Sequence, residues 1–245
     1  MGTEKVWVVI PAHNEGASIG DVVGGVRRAF NGAVVVVDDF STDDTARKAR
    51  DAGAVVLPLP IHLGAWCATQ AGIRYSLAHG CRILVTMDGD GQHRPEDIPR
   101  ILEPLFQGHS DVVIGSCVDR GSAARRLTWL IFRRITGLDV ADLTSGFRAY
   151  NRPALKILAS REASLLDYQD VGVLLFLKRA GLRFSEVPVT MGPRRNGHSR
   201  VFHTWRAVFW YLVYSGIVSV SQRPYPFFAF IKNRASRTLN SGEAP

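Results

Sequence analysis

The sequence predicts an α/β fold, a mostly parallel sheet flanked by helices, and three observations carry that expectation. Short apolar runs with the length of buried parallel strands recur at residues 6–10, 34–37, 54–57, 83–87 and 112–114. Stretches with helical spacing separate them, and such alternation calls for parallel strands joined by right-handed crossovers. Three of the runs stop in polar clusters, at residues 11–15, 38–45 and 88–92. Ligands of open α/β sheets bind outside the carboxyl ends of the strands, where these clusters fall.

The first run leads into Pro11-Ala12-His13-Asn14-Glu15, and residues 17–30 follow as a helix with Ile19, Val22, Val23, Val26 and Phe30 on its apolar stripe. The second ends in Asp38-Asp39-Phe40-Ser41-Thr42-Asp43-Asp44-Thr45, whose short polar side chains can cap a helix running to Asp51 and closed by Gly53. A third, short strand covers residues 54–57, and a helix from Gly64 to His79 stops at Gly80. The fourth run ends in Asp88-Gly89-Asp90-Gly91-Gln92. A helix with proline in its first turn spans residues 95–106, and the last strand covers 112–114.

The fourth exit carries the most chemistry. Residues i and i+2 of an extended segment point the same way, so Asp88 and Asp90 can converge on one target. With the Gln92 amide oxygen they make a hard, all-oxygen set suited to Mg²⁺ or Mn²⁺ rather than zinc. Such an ion completes its shell with water and substrate phosphates. Gly89 and Gly91 leave room for close backbone approach. No glutamate stands where a calcium loop of the EF-hand type needs one. Neither Gly-x-Gly-x-x-Gly nor Gly-x-x-x-x-Gly-Lys-Ser/Thr follows the first run, so neither a dinucleotide fold nor a P-loop is indicated. Asn, Asp and Ser are also ordinary helix caps, so any one cluster alone reads more readily as a cap than as a site. Three on one sheet edge form a crevice.

The 245 residues suffice for one large α/β domain with an appendage, and the net charge of +8 is uneven. Residues 191–245 hold eight Arg and Lys against one acid, Glu243, which suggests an anionic partner such as phosphate or lipid head groups. Nucleic acid is not expected, because the aromatics of this region form an apolar run without basic interleaving. Phe202 and Trp205 precede, and Phe209, Trp210, Tyr211 and Tyr214 lie within, an uncharged stretch of 16 residues, 207–222, bounded by Arg206 and Arg223. That is short of the roughly 20 needed to span a bilayer, and the residue types suit an interfacial helix or one packed on the domain. We therefore expect a catalytic domain over residues 1–200 and an amphipathic helix with a basic tail over 201–245. Cys67, Cys81 and Cys117 show no C-x-x-C spacing and read as reduced thiols of a cytosolic protein. The N-terminal apolar run carries Glu4 before it and ends at Pro11, as a strand does and a signal peptide does not.

Taken together, Pro-Ala-His-Asn-Glu, Val-Val-Asp-Asp-Phe-Ser-Thr-Asp-Asp-Thr and Asp-Gly-Asp-Gly-Gln-His resemble the family 2 glycosyltransferases of GT-A fold. Asp142-Leu-Thr-Ser-Gly-Phe-Arg148 and Arg194-x-x-Gly197-x-Ser199-Arg200 are similar to the polyprenyl- (dolichyl-) phosphate mannosyl- and glucosyltransferases. The resemblance spans residues 5–202. It implies a metal-dependent, inverting transfer of a hexose from a GDP- or UDP-sugar to polyprenyl phosphate. The enzyme would be peripheral at the cytoplasmic face of the cell membrane, with a membrane protein partner or a homo-oligomer left open. Pro11, His13, Glu15 and Asp39 would then meet the base and ribose. Asp88, Asp90 and Gln92 would hold Mg²⁺ or Mn²⁺ on the diphosphate, and Ser145, Arg148, Arg194 and Ser199 would meet phosphate groups. Cys117 stands where arginine is frequent, leaving Arg120, Arg125 or Arg126 to replace it. Arg200 replaces the usual lysine, and His13 replaces a tyrosine or phenylalanine, with a ring still able to stack on a base.

The chemistry of such a transfer centres on the departing diphosphate, whose charge a bound cation and Arg side chains neutralise. A lipid phosphate acceptor, with its second pKa at about 6, is already largely ionised and needs no strong base. A sugar hydroxyl acceptor needs one, and Asp170, with Asp167 three residues before it, is then the candidate. The residues expected to carry catalysis are thus Asp90, Arg148 and Asp170. Two rival readings are a GT-A enzyme acting on a glycan or glycolipid hydroxyl in polysaccharide assembly, and a nucleotide-binding scaffold without turnover. The intact Asp88, Asp90 and Gln92 set stands against the second.

Overall fold

The computed structural model describes residues 6–117, 137, 140–166 and 171–192. Its seven strands form one sheet in the order β3-β2-β1-β4-β6-β5-β7. The chain runs β1 (Val6–Ala12), α1 (Ile19–Ala29), β2 (Ala33–Asp38), α2 (Thr45–Asp51), β3 (Val55–Pro58), α3 (Ala65–Ala78) and β4 (Ile83–Thr86). A 3₁₀ turn (Pro95–Asp97) leads into α4 (Ile98–Phe106), then β5 (Val112–Ser116), β6 (Arg148–Asn151), α5 (Arg152–Leu158), α6 (Val171–Arg179) and β7 (Phe184–Pro188).

The strand and helix alternation expected through residue 114 is present, with ends displaced by one or two residues. The sheet is parallel except at one place. β6 runs antiparallel between β4 and β5, pairing Thr86 with Arg148 on one side and Ile114 with Arg148 on the other. β5 and β7 pair parallel at the far edge.

Burial on both faces explains the strand composition. Val8, Ile10 and Ala12 of β1 pack with Ile19, Val22, Val23 and Val26 of α1 and with Ile98, Ile101, Leu102 and Leu105 of α4. Val9, one residue out of phase, packs on the opposite face with Trp66 and Ile73 of α3, Leu155 and Leu158 of α5 and Leu177 of α6. Each fully buried Val, Ile or Leu contributes about 1.5–3 kcal/mol relative to exposure. α3 lies close against the sheet, because a Cβ on Gly72 would sit 2.4 Å from Val9 Cγ1. Gln70 of α3 donates to the carbonyls of Leu158 and Ser160, and Trp66 Nε1 donates to Ala163 O, fastening the helix to the segment after α5.

One ion pair ties the far edge together. Asp111, just before β5, accepts from the Arg183 N–H and guanidinium and from Asn151 Nδ2. Burial pushes the Asp111 carboxyl up, but the Arg183 and Asn151 hydrogen bonds outweigh it and hold the group below its ordinary value of 3.8. The unfolded chain therefore binds the proton more readily, and the stabilisation is complete above that value and lost as pH falls below it. Asp111→Asn should cost about 1 kcal/mol at pH 7, since Arg183 is half exposed. Thermal melts of both proteins should converge below pH 4 if the charge is the cause, and stay equally separated if it is not.

Candidate active site

The order of the strands places the site. After β1 the chain moves outward through β2 and β3, then crosses to lay β4 on the other side of β1. The carboxyl ends of β1 and β4 therefore flank the point where strand order reverses, with that of β2 beside them, and a crevice opens there. The three polar clusters, at residues 11–15, 38–45 and 88–92, occupy these three ends.

The first two clusters are stitched to each other. Asn14 N donates to Ser41 Oγ at 2.9 Å, Thr42 N to Asn14 Oδ1 at 2.8 Å, and Glu15 N to Thr45 Oγ1 at 2.8 Å. Gly16 N donates to Asp43 Oδ2 at 3.0 Å, and Lys48 Nζ to Gly16 O at 2.7 Å. A Cβ on Gly16 would lie 2.8 Å from that same Asp43 oxygen, so the close approach needs glycine. Asp43, one residue before the N-cap Asp44 of α2, also accepts from the Thr45 hydroxyl and N–H. Burial pushes the Asp43 carboxyl up, but these Thr45 and Gly16 donors prevail and lower it. Asn14 and Phe40 both adopt left-handed backbone, with φ of 51° and 61°, and Phe40 is half exposed. Strain of this kind in bulky residues concentrates at functional sites.

Asp39 is 2% exposed. Its Oδ1 accepts from Leu63 N at 2.7 Å and its Oδ2 from Gly64 N at 2.8 Å, while His62 Nδ1 lies 2.9 Å from Oδ2 and donates to the Asp39 backbone carbonyl at 3.3 Å. The carboxylate thereby fixes the loop that enters α3, with two of its roughly four acceptor sites taken by backbone N–H groups. His13 Nδ1 donates to Asp39 O at 2.7 Å, while Asn14 Nδ2 lies 3.2 Å from His13 Nε2; together they assign the Nδ1–H tautomer. The ring of His62 lies 4.3 Å from that of His13 and covers one of its faces. Pro11, His13 and Glu15 are half-buried at the crevice.

At the end of β4 the two acids differ. The strand stops at Thr86, and residues 89–90 form a turn instead of the expected extension. Asp88 keeps 43% of its side chain exposed, with Oδ2 bonded to His93 Nε2 at 3.1 Å. Asp90 is 4% exposed and its Oδ1 accepts from Gln92 N at 3.0 Å, which sets the turn. Gln92 Nε2 donates to Gly192 O at 3.3 Å and Gly192 N to Gln92 O at 2.8 Å. Residue 192 is thereby fastened to the acidic loop. Among the described residues no three His, Cys, Asp or Glu side chains gather into a metal cage. A set of two carboxylates and one amide oxygen fits an ion that takes most of its shell from phosphate and water.

The loop 142–148 closes the crevice from the β6 side. Glu186 of β7 accepts from the N–H groups of Ala141 and Asp142 at 2.8 and 3.0 Å, and Asp142 accepts from Thr144 and from Cys117 N. Ser145, 6% exposed, has its Oγ accepting from Phe147 N at 3.2 Å. Arg148 departs from the expected phosphate contact. As first residue of a strand flanked on both sides it is 0% exposed, and its Nη2 donates to Leu143 O at 3.0 Å. A guanidinium without exposed surface shapes this loop from beneath and does not meet a ligand in solvent in this conformation. His93 and Glu186 are the site residues that the sequence reading passed over. The only sequence signal for His93 is its place after Asp-Gly-Asp-Gly-Gln. Asp170, its neighbour Asp167, Arg194, Ser199, Arg200, the three arginines 120, 125 and 126, and the helix expected in 201–245 lie outside the described residues.

A mostly parallel sheet with one antiparallel insertion, whose strand order reverses at an acidic loop, defines a fold of the GT-A type. The chain belongs to glycosyl transferase family 2, whose model matches residues 7–158, and it is a glycosyltransferase. It is similar to the undecaprenyl-phosphate mannosyltransferase of Micrococcus luteus, with 34% identity over 80% of this chain and 87% of that one. It is also similar to the polyprenol monophosphomannose synthase of Mycolicibacterium smegmatis, with 32% identity over 81% of this chain and 82% of that one. Among solved structures, glucosyl-3-phosphoglycerate synthase from Mycobacterium tuberculosis in complex with Mn²⁺, UDP-glucose and phosphoglyceric acid superposes with a TM-score of 0.62. That match has 25% identity and covers 80% of this chain and 73% of that one. Among the described residues no helix is long and apolar enough to cross a membrane.

Proposed function

We propose that this protein moves a hexose, mannose or glucose, from a GDP- or UDP-sugar to a polyprenyl phosphate, with inversion and with Mg²⁺ or Mn²⁺. The observation that carries the reading is the pairing of half-exposed Asp88 with buried Asp90 at the switch point of the sheet. The names of the two mannosyltransferase relatives support the lipid phosphate and favour mannose. The Mn²⁺ and UDP-glucose of the mycobacterial structure support the ion and the donor class.

In this proposal Asp88, Asp90 and the Gln92 amide oxygen hold the ion, which supplies Lewis acidity toward the leaving diphosphate when bound. Pro11, His13 and Glu15 line the nucleoside end. Asp39 keeps the loop entering α3 in place and offers a further acceptor site to ribose. Ser145 lines the phosphate end on a loop that Arg148 and Glu186 hold rigid, and Arg194 and Ser199 complete the phosphate contacts. The acceptor phosphate, largely ionised at pH 7, attacks without a base from the protein, so Asp170 is dispensable. With a hydroxyl acceptor Asp170 would be essential. A peripheral position at the cytoplasmic membrane face follows from the lipid acceptor and from the aromatic, basic sequence of residues 201–245.

Radiolabelled GDP-mannose and UDP-glucose, offered with polyprenyl phosphate and either Mn²⁺ or a chelator, test this. The expected result is label in an organic-soluble, mild-acid-labile product with one donor and only with metal. Label confined to a water-soluble or acid-stable glycan would refute the lipid phosphate acceptor.

A further inference from the structure

Asp88 lies beyond the last residue of its strand, so β4 itself does not fix where its carboxylate sits. Two neighbours do. Gly91, with φ of 78°, turns the chain so that His93 comes beneath Asp88, five residues on. The His93 side chain has no exposed surface, its Nε2 stands 3.1 Å from Asp88 Oδ2, and its ring packs 5.1 Å from that of Phe147. Its backbone bridges to Met191. On the other side stands Gly146, where a Cβ would lie 2.6 Å from Asp88 Oδ1.

The bonding of His93 is lopsided. A carboxylate only accepts, so the shared proton sits on Nε2, and Nδ1 takes no part in this bond. That Nδ1 is buried and has no hydrogen-bond partner among the described residues. A histidine kept only for packing would be served as well by an apolar ring, and one kept to satisfy a buried network would use both nitrogens. This one makes a single hydrogen bond, to a carboxylate that the crevice leaves half exposed.

We propose that His93 is a positioning residue for the metal-binding carboxylate. Its Nε2–H fixes Oδ2 of Asp88 while the bare Cα of Gly146 makes room for the carboxyl group, and together they set where the carboxylate meets the divalent ion. The inference rests on the metal–diphosphate reading of Asp88 given above. Outer-shell partners of metal ligands typically change metal affinity by about 10–100-fold, and His93 belongs in that range.

The test uses the full chain and Mn²⁺ itself, with free Mn²⁺ followed by electron paramagnetic resonance in the presence of GDP or of UDP. His93→Phe keeps an aromatic ring against Phe147 and removes the donor. His93→Gln puts an amide N–H near the place of Nε2, and His93→Asn stops short of it. The expected result is Mn²⁺ affinity about 10–100-fold weaker in His93→Phe and His93→Asn. His93→Gln should return to within a few-fold of the parent, with melting temperatures of the folded variants close together. Should His93→Phe not fold, the Asn and Gln pair makes the same comparison. Parent-like affinity in His93→Asn, or equal weakening in Asn and Gln, would overturn the positioning role and leave the metal site standing. A parent protein that binds Mn²⁺ with neither nucleotide would overturn both readings.

Discussion

Replacing Asp88 or Asp90 by asparagine should lower sugar transfer by roughly 10²–10³-fold while the protein stays folded. Each change preserves shape and removes one charge from the proposed ion site. Asp88 has 43% of its side chain in solvent, so loss of its charge should change stability by no more than about 0.5 kcal/mol. Asp90 is buried, and an asparagine oxygen still supplies the acceptor that Gln92 N uses at 3.0 Å. The defect should therefore appear in turnover and in metal dependence and not in the melting temperature. Radiolabel transfer across a Mn²⁺ titration, beside thermal melts, checks it. Full activity in either variant would remove that residue from the ion site.

Gly146→Ala should be nearly as damaging from outside the acidic cluster. The new methyl group would stand 2.6 Å from Oδ1 and 2.8 Å from Oδ2 of Asp88. The backbone there is not left-handed, so alanine itself is not strained. Overpacking costs about 1–3 kcal/mol in a rigid core, but the atom struck is the end of a half-exposed side chain that can swing away. The fold should survive with a displaced carboxylate, and a misplacement of about 1 Å can cost 10²-fold in rate. Gly20→Ala is the control, because a Cβ at this site in α1 meets nothing closer than Lys48 O at 4.0 Å. Steady-state transfer should fall by about 10–100-fold in the first variant and be unchanged in the second. Unimpaired transfer by Gly146→Ala would mean that the Asp88 position is not critical.

Much of the fold was legible because buried parallel strands are written as uninterrupted apolar runs, as in β1, β2 and β4, each followed by a short polar exit. The same rule hides the other half of the sheet. β6 is only Arg148-Ala-Tyr-Asn, and nothing in four mixed residues announces a strand buried between two others. β7, Phe-Ser-Glu-Val-Pro, is a half-exposed edge strand and shows no apolar run. The acidic loop was legible from its place, because a composition common in loops and caps stood out only as one of three polar clusters at neighbouring strand ends. Its internal geometry was not. The support of Asp88 by His93 depends on the left-handed turn at Gly91, and the Glu186 clamp on residues 141–142 spans about 45 positions. Arg148 shows the limit from the other side. Within Ser-Gly-Phe-Arg it reads as a phosphate ligand, and only the pairing of β6 with both neighbours reveals why it is buried.

The central claim is that the β4 exit holds a divalent ion on the donor diphosphate. Anomalous diffraction at the manganese edge, from crystals grown with Mn²⁺ and the nucleoside diphosphate of the active donor, tests it most directly. The account predicts one peak at the β1–β4 crevice, bonded by Asp88 and Asp90 oxygens at about 2.1 Å, a distance suited to a small hard cation, and shared with the diphosphate. A peak elsewhere, or nucleotide bound in the crevice without one, would contradict it.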